Sequence, residues 1–590
     1  MLKLIREMKP RDRLLWLLSS LVVLGQVWFD LKLPGYMSAL TDAFQDESVG
    51  SGAMWATGGG MLLCMLGSVS MLLLSSLLCQ YATSGFGASL RDSVFARVTG
   101  FGRQELDRFS IPSLINRTTR DITMIENLFR IMPQMLIKAP IMAVWTLIVI
   151  LRQNAPLSAV VAGCLFVTVV PLLLMILRLL PRFTRLTELT DDMNRVVRED
   201  VTGIQVVHAF NAEAYQEKKF RALNRDVFHL ERYTNHAFGL LLDGVAFMTN
   251  FMYLAIYLFG AQLANGMALT DPARAGMLDS VNVFAVYSGY LTVAFLQMIM
   301  VMINIPRATI AGRRVLEVLC TPTSVTEGTR SDAPEKGTLE FRDVSFRYPD
   351  GGADVLEHIS FRVEPGQTLA VIGGTGSGKT TLVSLMTRLF DATEGDVLLD
   401  GVNVKDYTFD ALYDRVGFAP QRAQLFSGTV ESNLRLGHAS GISDEEAWEA
   451  LDLAQAKEFV SGREGGLESP IAQSGRNVSG GQKQRLSVAR ALAGHSEVMI
   501  FDDTFSALDF KTDRALRAAL RERRRGTTLV IVAQRISTIR HADSILVLDK
   551  GRMAGLGTHR ELMESCPVYR EIAESQLSQS ELAAEGGVRA

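Results

Sequence analysis

Six runs of about 20 mostly apolar residues fill the first half of this chain, and then the pattern changes. The runs cover roughly 14–38, 57–81, 132–153, 156–180, 239–264 and 281–305. Each is long enough to cross a hydrocarbon core of ~30 Å as a helix rising ~1.5 Å per residue. Short loops join the first run to the second, the third to the fourth and the fifth to the sixth. Long connections rich in helix formers separate the second from the third and the fourth from the fifth. They predict helices that continue past the membrane and turn near Phe109-Ser110-Ile111-Pro112 and Gly203-Ile204-Gln205.

A polar stretch containing Pro and Gly, 321–337, follows and reads as a linker. From 338 to 575 short apolar strands alternate with helical patterns, which predicts an α/β domain. Residues 576–590 are small and acidic and read as a disordered tail. The expected chain is multi-domain, with a six-helix transmembrane α domain over 1–320 and a soluble α/β domain after the linker.

Charge adds an orientation. The first long connection carries Arg91, Arg97, Arg103, Arg108, Arg117, Arg120 and Arg130, and the second carries Arg182, Arg185, Arg195, Arg198, Lys218, Lys219 and Arg221. The loop around Asp42, Asp46 and Glu47 has no base. Bases stay on the cytoplasmic side, so both termini and both long connections are expected inside. Lys3, Arg6, Lys9, Arg11 and Arg13 precede the first run, and the later spans make that run a membrane helix rather than a signal peptide. Leu2, Leu4, Ile5 and Met8 alternate with these bases, as in a short helix lying on a membrane surface. The net charge of −3 gives no argument for nucleic acid. The five cysteines form no C-x-x-C pair and read as reduced packing residues.

The soluble part carries the chemistry. Gly373-Gly374-Thr375-Gly376-Ser377-Gly378-Lys379-Thr380 fits the phosphate loop G-x-x-x-x-G-K-[ST], between an apolar strand and a helical pattern starting at Thr381. Its glycines let backbone N–H groups close on phosphates, Lys379 reaches the β- and γ-phosphates, and the Thr380 hydroxyl suits Mg²⁺. ATP is the expected ligand. The apolar strand Val498-Met499-Ile500-Phe501 ends in Asp502, where an acid can reach the same Mg²⁺. Val478-Ser479-Gly480-Gly481-Gln482 precedes a helix, about 20 residues before Asp502.

That last run, in this order with Tyr348, the phosphate loop, Gln421, Asp502, Ser506-Ala507-Leu508-Asp509 and Gln534, resembles the nucleotide-binding domain of the ABC ATPase family. The six spans with two long connections resemble its exporter-type half-transporters. The resemblance implies that Tyr348 stacks on adenine and that Gln421 contacts Mg²⁺ and couples the site to the membrane domain. It implies two domains sandwiching two ATP molecules, each between the phosphate loop of one chain and the signature, here Ser479, Gly480, Gly481 and Gln482, of the other. Ser506 to Asp509, the D-loop, would cross to that partner.

Two residues depart from the family pattern. The position after Asp502 should be a catalytic glutamate and is Asp503; the histidine facing the γ-phosphate is Gln534. Asp503 is one methylene short, and misplacing a catalytic group by ~1 Å can cost ~100-fold. Gln534 can donate a hydrogen bond but cannot carry a charge. A third departure is Gln473, where exporters often place a glutamate that touches the opposite chain. The resemblance thus implies the degenerate-site subunit of a heterodimeric, bacterial multidrug-type exporter in the cytoplasmic membrane. Its partner would be a different half-transporter with consensus catalytic residues, and its cargo amphiphilic small molecules. Lipid or peptide export, metal-chelate uptake and an ATP-gated regulator are the alternatives. Met298, Met300 and Met302 suit an adaptable cavity or ordinary helix packing, and Asp42 an outer gate or a solvated loop.

Overall fold

The computed structural model describes residues 2–45, 51–266, 272–349, 351–437, 441–523 and 526–577. Two compact units emerge. One comprises the chain up to Thr99 with Pro112–Thr321, and the other Gly100–Ile111 with the chain from Pro322 on.

The first unit is helical throughout. Its six long helical runs are Pro10–Gln45, Ser51–Thr99, Ile111–Arg152, Ala155–Thr202, Glu213–Asn265 and Pro272–Cys320. All six carry a window apolar enough to cross a membrane. In the second run only 17% of that window is buried, and Leu62, Leu63 and Leu66 point outward. Apolar side chains turned out along a whole helix face match hydrocarbon rather than water. Both expected turns break their helices. Ser110 takes φ 58° after the helix Arg103–Phe109, and Gly203 ends the fourth run before the short helix Ile204–Ala209.

Two details differ from the expectations above. The N-terminal helix is only Leu2–Ile5, and Leu4 and Met8 are buried against the chain rather than presented to a membrane surface. Arg13 fixes this turn by donating to the carbonyls of Met8 and Arg6. The third run contains two π-helical turns, Arg117–Asp121 and Pro133–Lys138. Its span is therefore not the plain helix expected over 132–153.

The second π turn has a visible consequence. It brings Gln134 and Lys138 onto the first helix, where Gln134 Nε2 donates to Gln26 Oε1 at 3.1 Å and Lys138 Nζ stands 2.9 Å from Asp30 Oδ2. The Ser68 hydroxyl donates to the other oxygen of Asp30. Both charged side chains are under one-fifth exposed. Breaking such a pair leaves a buried charge, at a cost of about 3 kcal/mol. Lys138→Met is expected to lower the melting temperature in detergent by several degrees, and adding Asp30→Asn should recover part of that loss. A double variant no more stable than Lys138→Met would show that the pair contributes nothing.

The second unit is an α/β domain. Its strands are β1 (Leu339–Phe346), β2 (Leu356–Val363), β3 (Thr368–Gly373), β4 (Glu394–Leu399), β5 (Val402–Asn403), β6 (Val416–Ala419), β7 (Gly428–Thr429), β8 (Pro470–Ile471), β9 (Val498–Asp502), β10 (Thr528–Val532), β11 (Ser544–Asp549) and β12 (Arg552–Gly557). A six-stranded sheet runs β12-β11-β3-β10-β9-β6, with β11, β3, β10, β9 and β6 parallel. A four-stranded antiparallel sheet, β2-β1-β4-β5, stands beside it. The continuous apolar runs of β9 and β10 are buried at every residue, as a parallel strand covered on both faces requires.

The polar stretch 321–337 is not a free tether. Gly328 N donates to Tyr407 O, Arg330 N to Asp406 O, and Thr408 N to Arg330 O. A Cβ on Gly328 would meet the Asp406 backbone at 2.2 Å, so glycine permits the close approach. Glu105, in the first turn segment, accepts at Oε1 from Ser324 N. Gln576, assigned above to the tail, is the last residue of the helix Pro567–Gln576. The rest of the expected tail from 578 lies outside the described residues.

Candidate ATP site

The parallel register lines up the chemistry. Val532 pairs with Asp502 and with Val371, and Ala419 pairs with Phe501. The residues just past these positions therefore leave the sheet at one edge. They are the phosphate loop after β3, Gln534 after β10, Asp503 after β9 and Gln421 after β6. Ligands of open α/β sheets bind at this carboxyl edge.

The phosphate loop needs its glycines. Gly378 has φ 100°, and a Cβ there would meet a Leu356 methyl at 2.6 Å. A Cβ on Gly373 would meet Leu548 O at 2.2 Å. Gly376 takes φ 81°, and around Gly374 and Gly376 a Cβ would meet nothing within 4 Å. The loop is thus packed at its ends and open across Gly374, Thr375 and Gly376. The helix Lys379–Met386 starts at once, so its free N–H groups face that opening. Lys379 Nζ donates to Gly373 O at 2.8 Å and Gly374 O at 2.7 Å. Burial lowers its pKa, while Asp503 and Asp502 pull it back up.

Tyr348 sits beside this helix. Its hydroxyl shares a hydrogen bond with the Thr381 hydroxyl at 3.0 Å, and its ring meets Phe346 and Phe390 edge-on at 4.9 and 5.3 Å. Ser377 is buried and Thr380 exposed.

Asp502 is 4% exposed, and its pKa is pushed up to about 6 by burial first and the Asp503 charge second, opposed by Lys379. A buried carboxyl short of solvation fits a divalent cation. Mg²⁺ could take Asp502, the Thr380 hydroxyl and Gln421 Oε1, and it would neutralise phosphate charge. Asp503 takes φ 47°, a left-handed conformation that aspartate tolerates better than most residues. Gln534 Nε2 donates to Asp503 Oδ2 at 2.8 Å and Gln421 Nε2 to the same oxygen at 3.2 Å. His541 is exposed and carries no role here.

The signature is built as a helix start. Ser479 accepts from Gln482 N at 3.3 Å, and Gln482 Oε1 accepts from Ser479 N at 3.0 Å, closing a capping box on the helix Gly480–Ala493. Ser479 and Gly480 are exposed, and a Cβ on Gly480 or Gly481 would meet nothing within 4 Å. Packing inside this chain does not demand those glycines. Among the described residues, no hydrogen bond links 479–482 to the phosphate loop. In the D-loop, Ser506 donates to Asp503 O at 2.7 Å, Ala507 ends a short 3₁₀ turn, Leu508 is buried and Asp509 caps the next helix through Thr512.

The matching families carry the same two parts. Residues 356–506 match the ABC transporter family and residues 16–302 the ABC transporter transmembrane region. An uncharacterized ABC transporter ATP-binding protein of Mycobacterium tuberculosis strain H37Rv is 35% identical, over 92% of this chain and 93% of its own. The chain belongs to the ABC transporter family. This half-transporter, one membrane region and one ATP-binding domain, is an ATPase-type transporter. A probable multidrug resistance ABC transporter ATP-binding/permease protein of Bacillus subtilis is 36% identical over 69% of this chain and 68% of its own. An ATP-dependent lipid A-core flippase of Pseudomonas aeruginosa is 31% identical over 83% of this chain and 79% of its own. A bacterial Atm1-family ABC exporter solved with ATP bound shares the fold, with a TM-score of 0.79 and 23% identity over 96% of this chain and 99% of that one.

The structure adds residues that the motifs did not show. Gln576 Nε2 donates to Gln534 O at 2.8 Å, and Ile536 N donates to Gln576 Oε1 at 2.9 Å. Thr504 ties the end of β9 to Ala419 O. No spacing signals a glutamine 42 positions downstream. In the membrane unit Met298 is 36% exposed and Met300 half-buried. The side chains of Met302 and Asp42 lie outside the described residues.

Proposed function

We propose that this chain is one half of a heterodimeric exporter whose productive ATP site stands on the other half's phosphate loop. One observation carries the reading. The strand ends that hold ATP chemistry present Asp503 and Gln534, while the signature is intact, capped and turned to the outside. In this reading Lys379 exchanges its carbonyl partners for phosphate oxygens of ATP, Tyr348 meets the adenine, and Thr380, Asp502 and Gln421 hold Mg²⁺. Ser479 and the N–H groups of Gly480 and Gly481 hold the γ-phosphate on the partner's loop. Closure of the sandwich then drives the membrane helices, and hydrolysis at the partner's loop resets them.

The domains are 1–320, 321–337 and 338 to at least Gln576, which ends the last helix, with both termini cytoplasmic in a bacterial plasma membrane. The cargo is an amphiphilic small molecule. The multidrug resistance relative supports that reading, as does an open patch on the helix Glu213–Asn265 where Phe228 and Leu240 stand beside Glu231, Arg232, His236 and Asp243. The flippase relative favours a lipid as the second reading.

Assembly tests the proposal. A homodimer would carry two impaired sites by symmetry. Purified alone, the chain is expected to show ATPase at least about 10-fold below that of the chain copurified with its partner half-transporter. Robust turnover by the chain alone would sink the asymmetric reading.

A further inference from the structure

The two departures from the family pattern are bonded to each other. β9 lies between β10 and β6, so Asp503, one residue past β9, has Gln534 on one side and Gln421 on the other. Both amides donate to the same oxygen, Oδ2, at 2.8 and 3.2 Å. The backbones behind them are also fixed. Asp503 N donates to Val532 O, Ser506 donates to Asp503 O, and Gln576 donates to Gln534 O.

We propose that Gln534 is a positioning residue that holds the Asp503 carboxylate as a bracket across three strand ends. The site is then silent because its acid is held in one orientation, in addition to being one methylene short. This rests on the asymmetric reading above. A general base must aim a lone pair at the proton it takes. A carboxylate offers about four such directions on two oxygens; two amide hydrogens occupy those on Oδ2 and thereby fix where Oδ1 points. The carboxylate can be re-aimed only by breaking both bonds. A glutamine at 534 supplies the neutral donor that this bracket needs, and its carbonyl end leaves no charge near the phosphate. Gln421 serves the bracket with Nε2 and keeps Oε1 for Mg²⁺. Asp503 and Gln534 are therefore one device, and restoring the family residue at either position alone should do little.

The test counts hydrolysis only on this chain's phosphate loop. The full-length chain is purified with its partner half-transporter, whose catalytic glutamate is replaced by glutamine. Single-turnover conversion of bound radiolabelled ATP is compared for the wild type, Asp503→Glu, Gln534→His, the double variant and Gln534→Ala. Each single replacement toward the family pattern is expected to gain less than about threefold, and the double to exceed the product of the two by about 10-fold. Gln534→Ala, which frees one side of Asp503, is expected to gain about threefold. ATP affinity should stay within about twofold throughout, whereas general damage to the fold would move affinity and rate together. A double variant equal to the product of the singles, or no gain in Gln534→Ala, overturns the bracket and leaves the asymmetric reading intact. The asymmetric reading fails separately if the wild-type loop already converts ATP as fast as the pair with its glutamate restored.

Discussion

Gly480→Asp is expected to abolish ATPase and transport while nucleotide still binds to this chain's own phosphate loop. The fold should tolerate the change. Gly480 is the first residue of the signature helix, and a Cβ there meets nothing within 4 Å. An acid at this position even favours the helix, by ~0.3–1 kcal/mol, because it faces the positive end of the macrodipole. The same location makes the substitution fatal to function. In the sandwich that the family implies, this helix start faces the γ-phosphate of the other chain's ATP. Aspartate keeps the backbone N–H but sets an anion against the γ-phosphate, and keeping the preorganised donors from a developing charge costs ~100-fold or more. ATPase of the purified pair should fall by at least about 100-fold, and transport in vesicles should cease. Binding of a fluorescent ATP analogue to this chain should persist, because Lys379, Thr380 and Tyr348 are untouched. Near-normal ATPase in Gly480→Asp would mean that the productive site does not use this signature.

The second large effect is an inequality between the two sites. On the asymmetric reading proposed above, Asp503→Asn should reduce ATPase of the pair by no more than about threefold. Replacing the partner's catalytic glutamate with glutamine should reduce it by ~100-fold or more, the usual worth of a general base. Asparagine at 503 keeps an acceptor for the amides of Gln534 and Gln421, so the strand ends should stay in place. Steady-state ATPase of the two variant pairs, measured side by side, decides the matter. Equal losses would make the sites equivalent.

The phosphate loop was legible because its chemistry is local. Glycine spacing, a preceding apolar strand and Lys379 all lie within a dozen residues. The signature was legible for the same reason, since a capping box spans only four positions. The membrane part was legible because bilayer thickness fixes the length of an apolar run. What could not be read was any contact set by the order of strands in the sheet. The bracket on Asp503 depends on β9 lying between β6 and β10, although β6 and β9 are far apart in sequence. Gln576 looked like the start of a tail because a single amide far along the chain carries no periodic signal. The π turn at Pro133–Lys138 escaped for another reason, since proline predicts an interruption but not the extra residue that aims Lys138 at Asp30.

By itself the sequence determined the six spans and the α/β domain, and it located the glycine-rich loop at 373–380 and the helix start at Ser479. These follow from period, length and short-range chemistry, which do not depend on how the pieces pack. Only the tertiary structure decided that the N-terminal Leu4 and Met8 are buried, that 321–337 pairs with 406–408, and that Gln534 and Gln421 grip the same oxygen of Asp503. The grip on Asp503 depends on strand order, where neighbouring strands stand only ~4.8 Å apart, and the other two outcomes depend on how segments distant in the chain pack together.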